Sequence, residues 1–382
     1  MEGGSDVAAA IGLLAAFAWI YLLGFHGGFW RADQRLPDRV PPLENWPSVA
    51  CVIPARNEAE TIAATVNSLL AQEYEGALTV IVVDDNSTDG TAEAVPRDDR
   101  CSVISGEPLV AGWTGKVWAM HQGFQQVDAA TDYVLFTDAD IVHDPSSVAR
   151  LVSKAQPNNL TMTSLMVRLD AGGFWGQLLI PAFVFFFQKL YPFPTVNNPR
   201  RKMAAAAGGC MLVNREALVK AGGLEKISDA LIDDCALGAL MKTQGPIWLG
   251  LTSEVRSLRP YDGLGEIWTM VARTAFHQLR YSVFILIGCV MGLALLYVAG
   301  PGVAIYGVVM MDGVALGLGI AAWALMAVAY APTVRLYGLS TGWVATLPLC
   351  GLLYGLMTVD SARRHWMGVG GTWKGRTHSP KA

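Results

Sequence analysis

Two aspartates, Asp138 and Asp140, close the short apolar run Tyr133-Val134-Leu135-Phe136-Thr137-Asp138-Ala139-Asp140. An apolar run of this length reads as a buried strand. Residues two apart on an extended chain share a face. Where the strand ends and the backbone bends, both carboxylates can converge on one hard cation such as Mg²⁺ or Mn²⁺. A divalent cation held there neutralises a diphosphate leaving group. Taken alone, the pair also fits a strand running into a solvated acidic turn. Two more polar loops follow apolar runs: Arg56 and Glu58 after residues 49–54, and Asp84 and Asp85 after residues 78–83. Further acids, Asp229, Asp233 and Asp234, fall near the start of a helix expected over 227–240, where they equally suit the helix dipole.

The elements that would position these side chains alternate along the chain. Residues 49–54 form a strand ending at Pro54, and Ile62, Val66, Leu69 and Leu70 then repeat at helical spacing. Residues 78–83 are an unbroken, mostly β-branched run and so a second buried strand. Ser87, Thr88 or Asp89 can cap the helix after it. Residues 101–104 suggest a third strand, 116–124 a helix, and 133–137 the strand described above. Gly208-Gly209 reads as a turn before a strand over 210–213, and Gly222-Gly223 as another turn. Such alternation argues for a parallel α/β sheet, in which ligands bind beyond the carboxyl ends of the strands. Arg56/Glu58, Asp84/Asp85 and Asp138/Asp140 are therefore expected to meet at one site.

Hydrophobic residues make up 52% of the 382 and charged residues 16%, with a mean hydropathy of +0.35. This implies a soluble-type domain joined to membrane segments. The net charge of −4 gives no electrostatic case for a nucleic-acid partner. The six cysteines are scattered without a C-x-x-C pair, so they read as buried thiols rather than a zinc site or a disulfide framework.

Residues 7–30 carry no Asp, Glu, Lys or Arg and are long enough to span a bilayer. No basic segment precedes them, which favours an uncleaved anchor over a signal peptide. Arg31, Arg35 and Arg39 follow, so the positive-inside rule puts the following domain in the cytoplasm. Pro37, Pro41, Pro42 and Pro47 make an extended linker. Residues 174–191 are apolar but interrupted by Pro181, and read as an interfacial helix or lipid-facing wall, with a buried core helix as the alternative. A basic helix is expected over 273–281. Apolar blocks follow at 283–311, 313–330 and 343–359, then a tail with Arg363, Arg364, Lys374, Arg376 and Lys381 that reads as cytoplasmic. A cytoplasmic domain and tail need an even number of crossings between them. Either one block is re-entrant or interfacial, or the first splits at Gly300-Pro301-Gly302 into a hairpin.

The pattern resembles the family 2 glycosyltransferases, inverting enzymes of the GT-A fold. The matching stretches are Ile53-Pro54-Ala55-Arg56-Asn57-Glu58, Val82-Val83-Asp84-Asp85-Asn86-Ser87-Thr88-Asp89-Gly90-Thr91, Thr137-Asp138-Ala139-Asp140, Gly208-Gly209-Cys210, Ile232-Asp233-Asp234 and His277-x-x-Arg280-Tyr281, in that order over residues 49–281. The anchored layout is similar to the ceramide-glucosyltransferase-like branch. Gly112-Trp113-Thr114-Gly115-Lys116-Val117-Trp118-Ala119 and Trp373-Lys374-Gly375-Arg376-Thr377 look most like the bacterial hopanoid-biosynthesis-associated glycosyltransferases.

The resemblance implies an α/β domain with a mixed, Rossmann-like GT-A sheet that binds a nucleotide-sugar. Pro54, Arg56, Glu58, Asp84 and Asp85 would line the nucleoside pocket, and Lys116 would face the diphosphate. Asp138 and Asp140 would fill the D-x-D role toward donor and metal, Mg²⁺ or Mn²⁺, with Asp140 the direct ligand. The base would be Asp233 or Asp234, with position favouring Asp234. The family's Q-x-x-R-W motif becomes His277-x-x-Arg280-Tyr281, which keeps Arg280 as a catalytic-site residue and Tyr281 as an aromatic wall. The expected organisation is an anchor over 1–30, a linker over 31–48, a catalytic domain over 49–281, a transmembrane region over 282–360 and a cytoplasmic basic tail over 361–382. The expected activity is transfer of a sugar from a nucleotide-sugar, a UDP-sugar, to a lipid acceptor at a bacterial inner membrane, plausible in hopanoid or glycolipid biosynthesis. The alternatives are a processive polysaccharide synthase of the same fold, a carotenoid- or ceramide-type glycolipid transferase and, from another class, a membrane transporter or receptor with a nucleotide-binding domain.

Overall fold

The computed structural model describes residues 2–261, 263–368, 372–373 and 376–377. Within the expected tail, residues 369–371, 374–375 and 378–382, with Lys374 and Lys381, lie outside the described residues. Two compact units are present. One is built around Asp33–Asp170 and Phe193–Arg259, the other from Met1–Ala32, Ala171–Pro192 and Pro260–Gly370. The helices Gly173–Leu190 and Leu264–Gln278, inside the span expected for the catalytic domain, thus belong to the second, helical unit.

The first unit holds an eight-stranded sheet: β1 Val49–Ala55, β2 Leu78–Asp84, β3 Cys101–Ser105, β4 Tyr133–Thr137, β5 Ile141–Val142, β6 Met162–Arg168, β7 Cys210–Asn214 and β8 Ile247–Ser257. Their spatial order is β3-β2-β1-β4-β7-β6-β8-β5. β1 to β4 are mutually parallel where they pair, as alternation with helices predicts. β7 runs antiparallel to both β4 and β6, and β5 antiparallel to β8, so the sheet is mixed rather than wholly parallel. Every residue of β1 and β4 is buried, the pattern of strands covered on both faces. The polarity of β7 brings the Gly208-Gly209 turn that precedes it to the same sheet edge as the carboxyl ends of β1, β2 and β4.

Two helices are seated on this frame by glycines. Gly115–Gln125 packs so close to the sheet that a Cβ on Gly123 would stand 2.5 Å from Val52 Cγ1 and 2.8 Å from Val83 Cγ2. Asp233–Lys242 packs so that a Cβ on Gly238 would lie 2.9 Å from the Ala205 carbonyl carbon. This second helix begins later than its sequence suggests. Leu224–Ile227 is a 3₁₀ turn, and α-helix starts only at Asp233. Asp233 and Asp234 therefore occupy its first turn, and Asp229 precedes it.

Five helices of the described residues are long and apolar enough to cross a membrane: Gly4–Phe25, Gly173–Val196, Val283–Val309, Gly313–Leu336 and Thr341–Trp366. Small residues allow close packing among them. A Cβ on Gly319 would meet Ala304 N at 2.3 Å, and one on Gly307 would meet Leu316 N at 2.3 Å. The block from 283 does not split into a hairpin at Gly300-Pro301-Gly302, which lie within the helix Ala299–Val309. A π-turn, Ala294–Val298, precedes Pro301 and widens the helix where the proline ring would press on the carbonyl four residues back. The helix Gly173–Leu190 joins β6 to the segment entering β7, and β6 and β7 are hydrogen-bonded neighbours. A single crossing would part those two strands, so this helix cannot be a simple span despite its length.

Candidate active site

The loops after β1 and β2 are stitched together. Asn57 N–H donates to Ser87 Oγ at 3.0 Å, Thr88 N–H to Asn57 Oδ1 at 2.9 Å, and Glu58 N–H to Thr91 Oγ1 at 2.9 Å. Asn57 and Asn86 both take left-handed backbone (φ 51 and 55), which asparagine tolerates better than most residues. Asp89 accepts from Thr91 N–H at 3.1 Å at the start of the short helix Thr91–Ala94. Pro54 is not the end of β1 but a buried strand residue paired with Val83. Arg56 lies 3.8 Å from the fully buried Asp85 carboxylate and donates to the Asp85 backbone carbonyl. Asp84 Oδ1 accepts from Ser87 N–H at 3.3 Å.

Beyond β4 stands a second cluster. Lys116, in the first turn of Gly115–Gln125, reaches Asp138 Oδ1 at 2.7 Å and Asp233 Oδ2 at 3.2 Å. Burial opposes its charge, but Asp138, Asp233 and Asp234 outweigh that and hold its pKa above the ordinary lysine range. Asp234 Oδ2 accepts the Gly208 N–H at 3.0 Å, and Oδ1 accepts the Cys235 N–H at 2.7 Å. Burial, then the neighbouring Asp233, pushes the Asp234 carboxyl up to about 6, against Lys116 and the two N–H donors. Burial also raises Asp138, with Lys116 opposing. Behind the turn, Thr137 Oγ1 donates to Gly209 O at 2.7 Å and meets His143 Nε2 at 3.0 Å. Burial holds the His143 pKa down to about 4, so the ring is neutral near pH 7.

Asp140 Oδ2 accepts from Ser257 Oγ at 3.0 Å and lies 3.3 Å from Arg259 Nε, while Arg259 Nη2 reaches Glu58 Oε1 at 3.0 Å. Ser257, Arg259 and His143 escaped sequence reading because each stands alone, outside any motif. The signal that could have found Arg259 is its place just past the carboxyl end of another strand, β8.

The sheet unit thus gathers Arg56, Glu58, Asp84, Asp85, Lys116, Asp138, Asp140, Asp233 and Asp234 at one edge, with Pro54 in the strand behind them. Arg280 belongs to the helical unit, just past the end of Leu264–Gln278, with φ 52. In that unit the Tyr281 hydroxyl bonds His277 Nδ1 at 2.9 Å and its ring stacks on His365 at 4.3 Å.

The charges of the cluster bear on a cation. Seven carboxylates (Glu58, Asp84, Asp85, Asp138, Asp140, Asp233, Asp234) face three cations (Arg56, Lys116, Arg259). That excess would repel a diphosphate unless a cation accompanied it. No three His, Cys, Asp or Glu side chains among the described residues form a ready cation cage. Asp138 and Asp140 nonetheless offer hard oxygens of the kind that hold Mg²⁺ or Mn²⁺ when a substrate diphosphate and water complete the shell.

Residues 50–222 match the family model "Glycosyl transferase family 2". An N-acetylglucosaminyltransferase of Mesorhizobium japonicum is 32% identical over 134 residues, covering 32% of this chain and 30% of that protein. A 4,4'-diaponeurosporenoate glycosyltransferase of Staphylococcus aureus is 28% identical over 203 residues, covering 52% of each chain. The chain therefore spans about half or less of the length of these curated relatives. A mannosyltransferase of Pyrobaculum calidifontis, solved in complex with GDP-Man and Mn²⁺, superposes with a TM-score of 0.56 at 20% identity, covering 93% of this chain and 99% of that one. That likeness bears on fold alone. Residues 50–222 thus match glycosyl transferase family 2, on a GT-A-like mixed α/β fold.

Proposed function

We propose that this protein is a membrane-anchored, inverting glycosyltransferase that moves a sugar from a nucleotide-sugar, a UDP-sugar, to the hydroxyl or carboxyl of a lipid such as a hopanoid or a carotenoid. The observation that carries the proposal is Asp234. It is a half-buried carboxylate with a pKa raised to about 6, held by Gly208 N–H, next to the Lys116–Asp138 pair. A base of that pKa is ionised near pH 7 and still able to take a proton. In the proposed step the acceptor oxygen bonds to the anomeric carbon as its proton passes to Asp234. The bond from that carbon to the diphosphate oxygen breaks on the opposite face, and the configuration inverts. Lys116 stabilises the charge that develops on the diphosphate. Arg56, Glu58 and Asp85 hold the nucleoside, since carboxylates accept from base N–H and ribose hydroxyls. Asp138 and Asp140 would hold Mg²⁺ or Mn²⁺, which when bound neutralises the departing diphosphate. Arg280 is proposed as a second cationic group for the reaction.

The lipid acceptor is supported by the five long apolar helices and by the exposure of side chains such as Phe284 (87%) and Met311 (94%) in the helical unit. It is further supported by the Staphylococcus aureus relative, whose name identifies a carotenoid acid as its acceptor; that relative keeps the carotenoid-type alternative alongside the hopanoid reading. The proposed setting is a bacterial inner membrane with the sheet unit in the cytoplasm, consistent with Arg31, Arg35 and Arg39 after the first helix. The test is product analysis. Purified protein with Mn²⁺, a donor panel and hopanoid or carotenoid acceptors should yield a glycolipid whose anomeric configuration is opposite to the donor's. A product that retains the donor configuration would overturn direct displacement.

A further inference from the structure

Arg259 is the last residue of the sheet unit before the chain enters Pro260–Gly370. Its guanidinium spans two carboxylates from different loops: Nη2 stands 3.0 Å from Glu58 Oε1, after β1, and Nε 3.3 Å from Asp140 Oδ2, after β4. The two acids are largely enclosed, with side chains 13% and 10% exposed, whereas the arginine is 42% exposed. Segment 257–259 wraps Asp140. Ser257 Oγ donates to Asp140 Oδ2 at 3.0 Å, Leu258 N–H donates to Asp140 O at 2.7 Å, and Arg259 N–H donates back to Ser257 Oγ at 3.2 Å.

A carboxylate that binds a divalent cation directly cannot keep a guanidinium on the same oxygens without bringing two like charges together, and enclosure from water sharpens that repulsion. We propose that Arg259 is the built-in countercharge of the donor site: it and a divalent cation compete for Asp140, so Arg259 must leave Asp140 when the cation binds there. Asp140 and the largely enclosed Glu58 need a positive partner before donor and cation arrive, because an uncompensated enclosed charge is costly. Arg259 supplies one that can be exchanged, because its own side chain is open to solvent and its planar fork suits a phosphate as well as a carboxylate. Arg259 is thus a positioning residue that sets how tightly the site takes metal before the nucleotide arrives. The inference rests on the reading that Asp138 and Asp140 take a divalent cation.

The experiment is Mn²⁺ titration of the purified full-length protein in detergent, by electron paramagnetic resonance of free Mn²⁺, with and without UDP, for wild type, Arg259→Gln and Arg259→Lys. Without UDP, R259Q should bind Mn²⁺ on the order of three- to tenfold more tightly, the range that relief of a partly exposed ion pair allows. R259K should fall between R259Q and wild type, because an ammonium keeps the charge but cannot span both acids. R259Q should also melt at a lower temperature than wild type, with Mn²⁺ restoring it. Equal or weaker Mn²⁺ affinity in a folded R259Q overturns the exchange. If R259Q does not fold, R259K alone decides, and an affinity no tighter than wild type overturns it. If wild type binds no Mn²⁺ even with UDP, the metal reading fails and this inference with it; if wild type binds Mn²⁺ and the variants match it, only this inference fails.

Discussion

The Gly208 N–H donates to Asp234 Oδ2 at 3.0 Å, and a Cβ on Gly208 would stand 3.2 Å from Lys116 Nζ. One glycine therefore aims the carboxylate and leaves room beside it for the lysine. Asp233, the residue before it, turns instead to Lys116 at 3.2 Å. Asp234→Asn should lower kcat by about 10²- to 10⁴-fold, the usual worth of a general base, while UDP affinity stays within a few-fold. Asp233→Asn should perturb donor affinity through Lys116 more than kcat. Steady-state kinetics with a UDP-binding titration separate the two, and the reverse pattern would move the base to Asp233.

The raised pKa of Asp234 fixes a pH limb. The base must be ionised, so kcat/KM should rise with pH up to about 6 and level off above it. Stability runs the other way. A carboxyl whose pKa is raised on folding favours the folded state while protonated and loses that advantage as pH climbs through about 6. Asp234→Asn should therefore melt higher than wild type at pH 8, with the gap closing toward pH 5. A gap that widens on acidification would contradict the assignment.

His143 shifts in the opposite direction. Burial holds it down to about 4 in the folded protein, whereas an unfolded histidine takes up its proton near 6.5. Stability should fall as pH drops from about 6.5 toward 4, because the unfolded chain gains a proton that the folded ring refuses. His143→Gln should flatten that acid limb in thermal melts; an unchanged limb would show that another group sets it.

Gly123 should resist substitution. Alanine gains about 1 kcal/mol in helix propensity, but its Cβ meets two stiff valines at 2.5 and 2.8 Å, and overpacking of that kind costs about 1–3 kcal/mol. Packing wins, so Gly123→Ala should be destabilised in denaturant melts and, by shifting the helix that carries Lys116, should weaken UDP binding. A stabilised variant would mean that the helix does not seat this tightly.

Asp140→Ala should remove metal-dependent donor binding. With wild type, EDTA should weaken UDP-sugar affinity; with the variant, EDTA should change little. Calorimetric titration of the donor with and without Mn²⁺ reads this, and an unchanged Mn²⁺-dependent affinity in the variant argues against Asp140 as a ligand.

Strands 49–55, 78–84 and 133–137 were legible because each is a short, largely apolar run, the second of them mostly β-branched, and all are buried or nearly so. β6, Met162-Thr163-Ser164-Leu165-Met166-Val167-Arg168, was not, since threonine and serine interrupt its apolar run, and the serine is satisfied only by tertiary contacts such as Ser164 Oγ to Ala207 O. β8 is broken up by Gly250 and by polar residues from Thr252 onward, and without β8 nothing pointed to Arg259. The carboxylates that meet at the sheet edge were found because each closes a visible strand or lies near a recognisable helix start. What sequence could not give was their pairing. Lys116 takes Asp138 and Asp233, and Arg259 takes Asp140 and Glu58, through contacts between residues up to 201 positions apart.

The most direct test of the proposed activity is transfer of label to lipid. Membranes carrying the protein are incubated with Mn²⁺, radiolabelled UDP-sugars and hopanoid or carotenoid acceptors, then extracted with organic solvent, beside membranes carrying Asp234→Asn. Organic-phase label is expected with wild type and at most about one hundredth of it with the variant. Wild-type protein that binds UDP yet leaves the organic phase unlabelled with every donor would contradict lipid glycosylation.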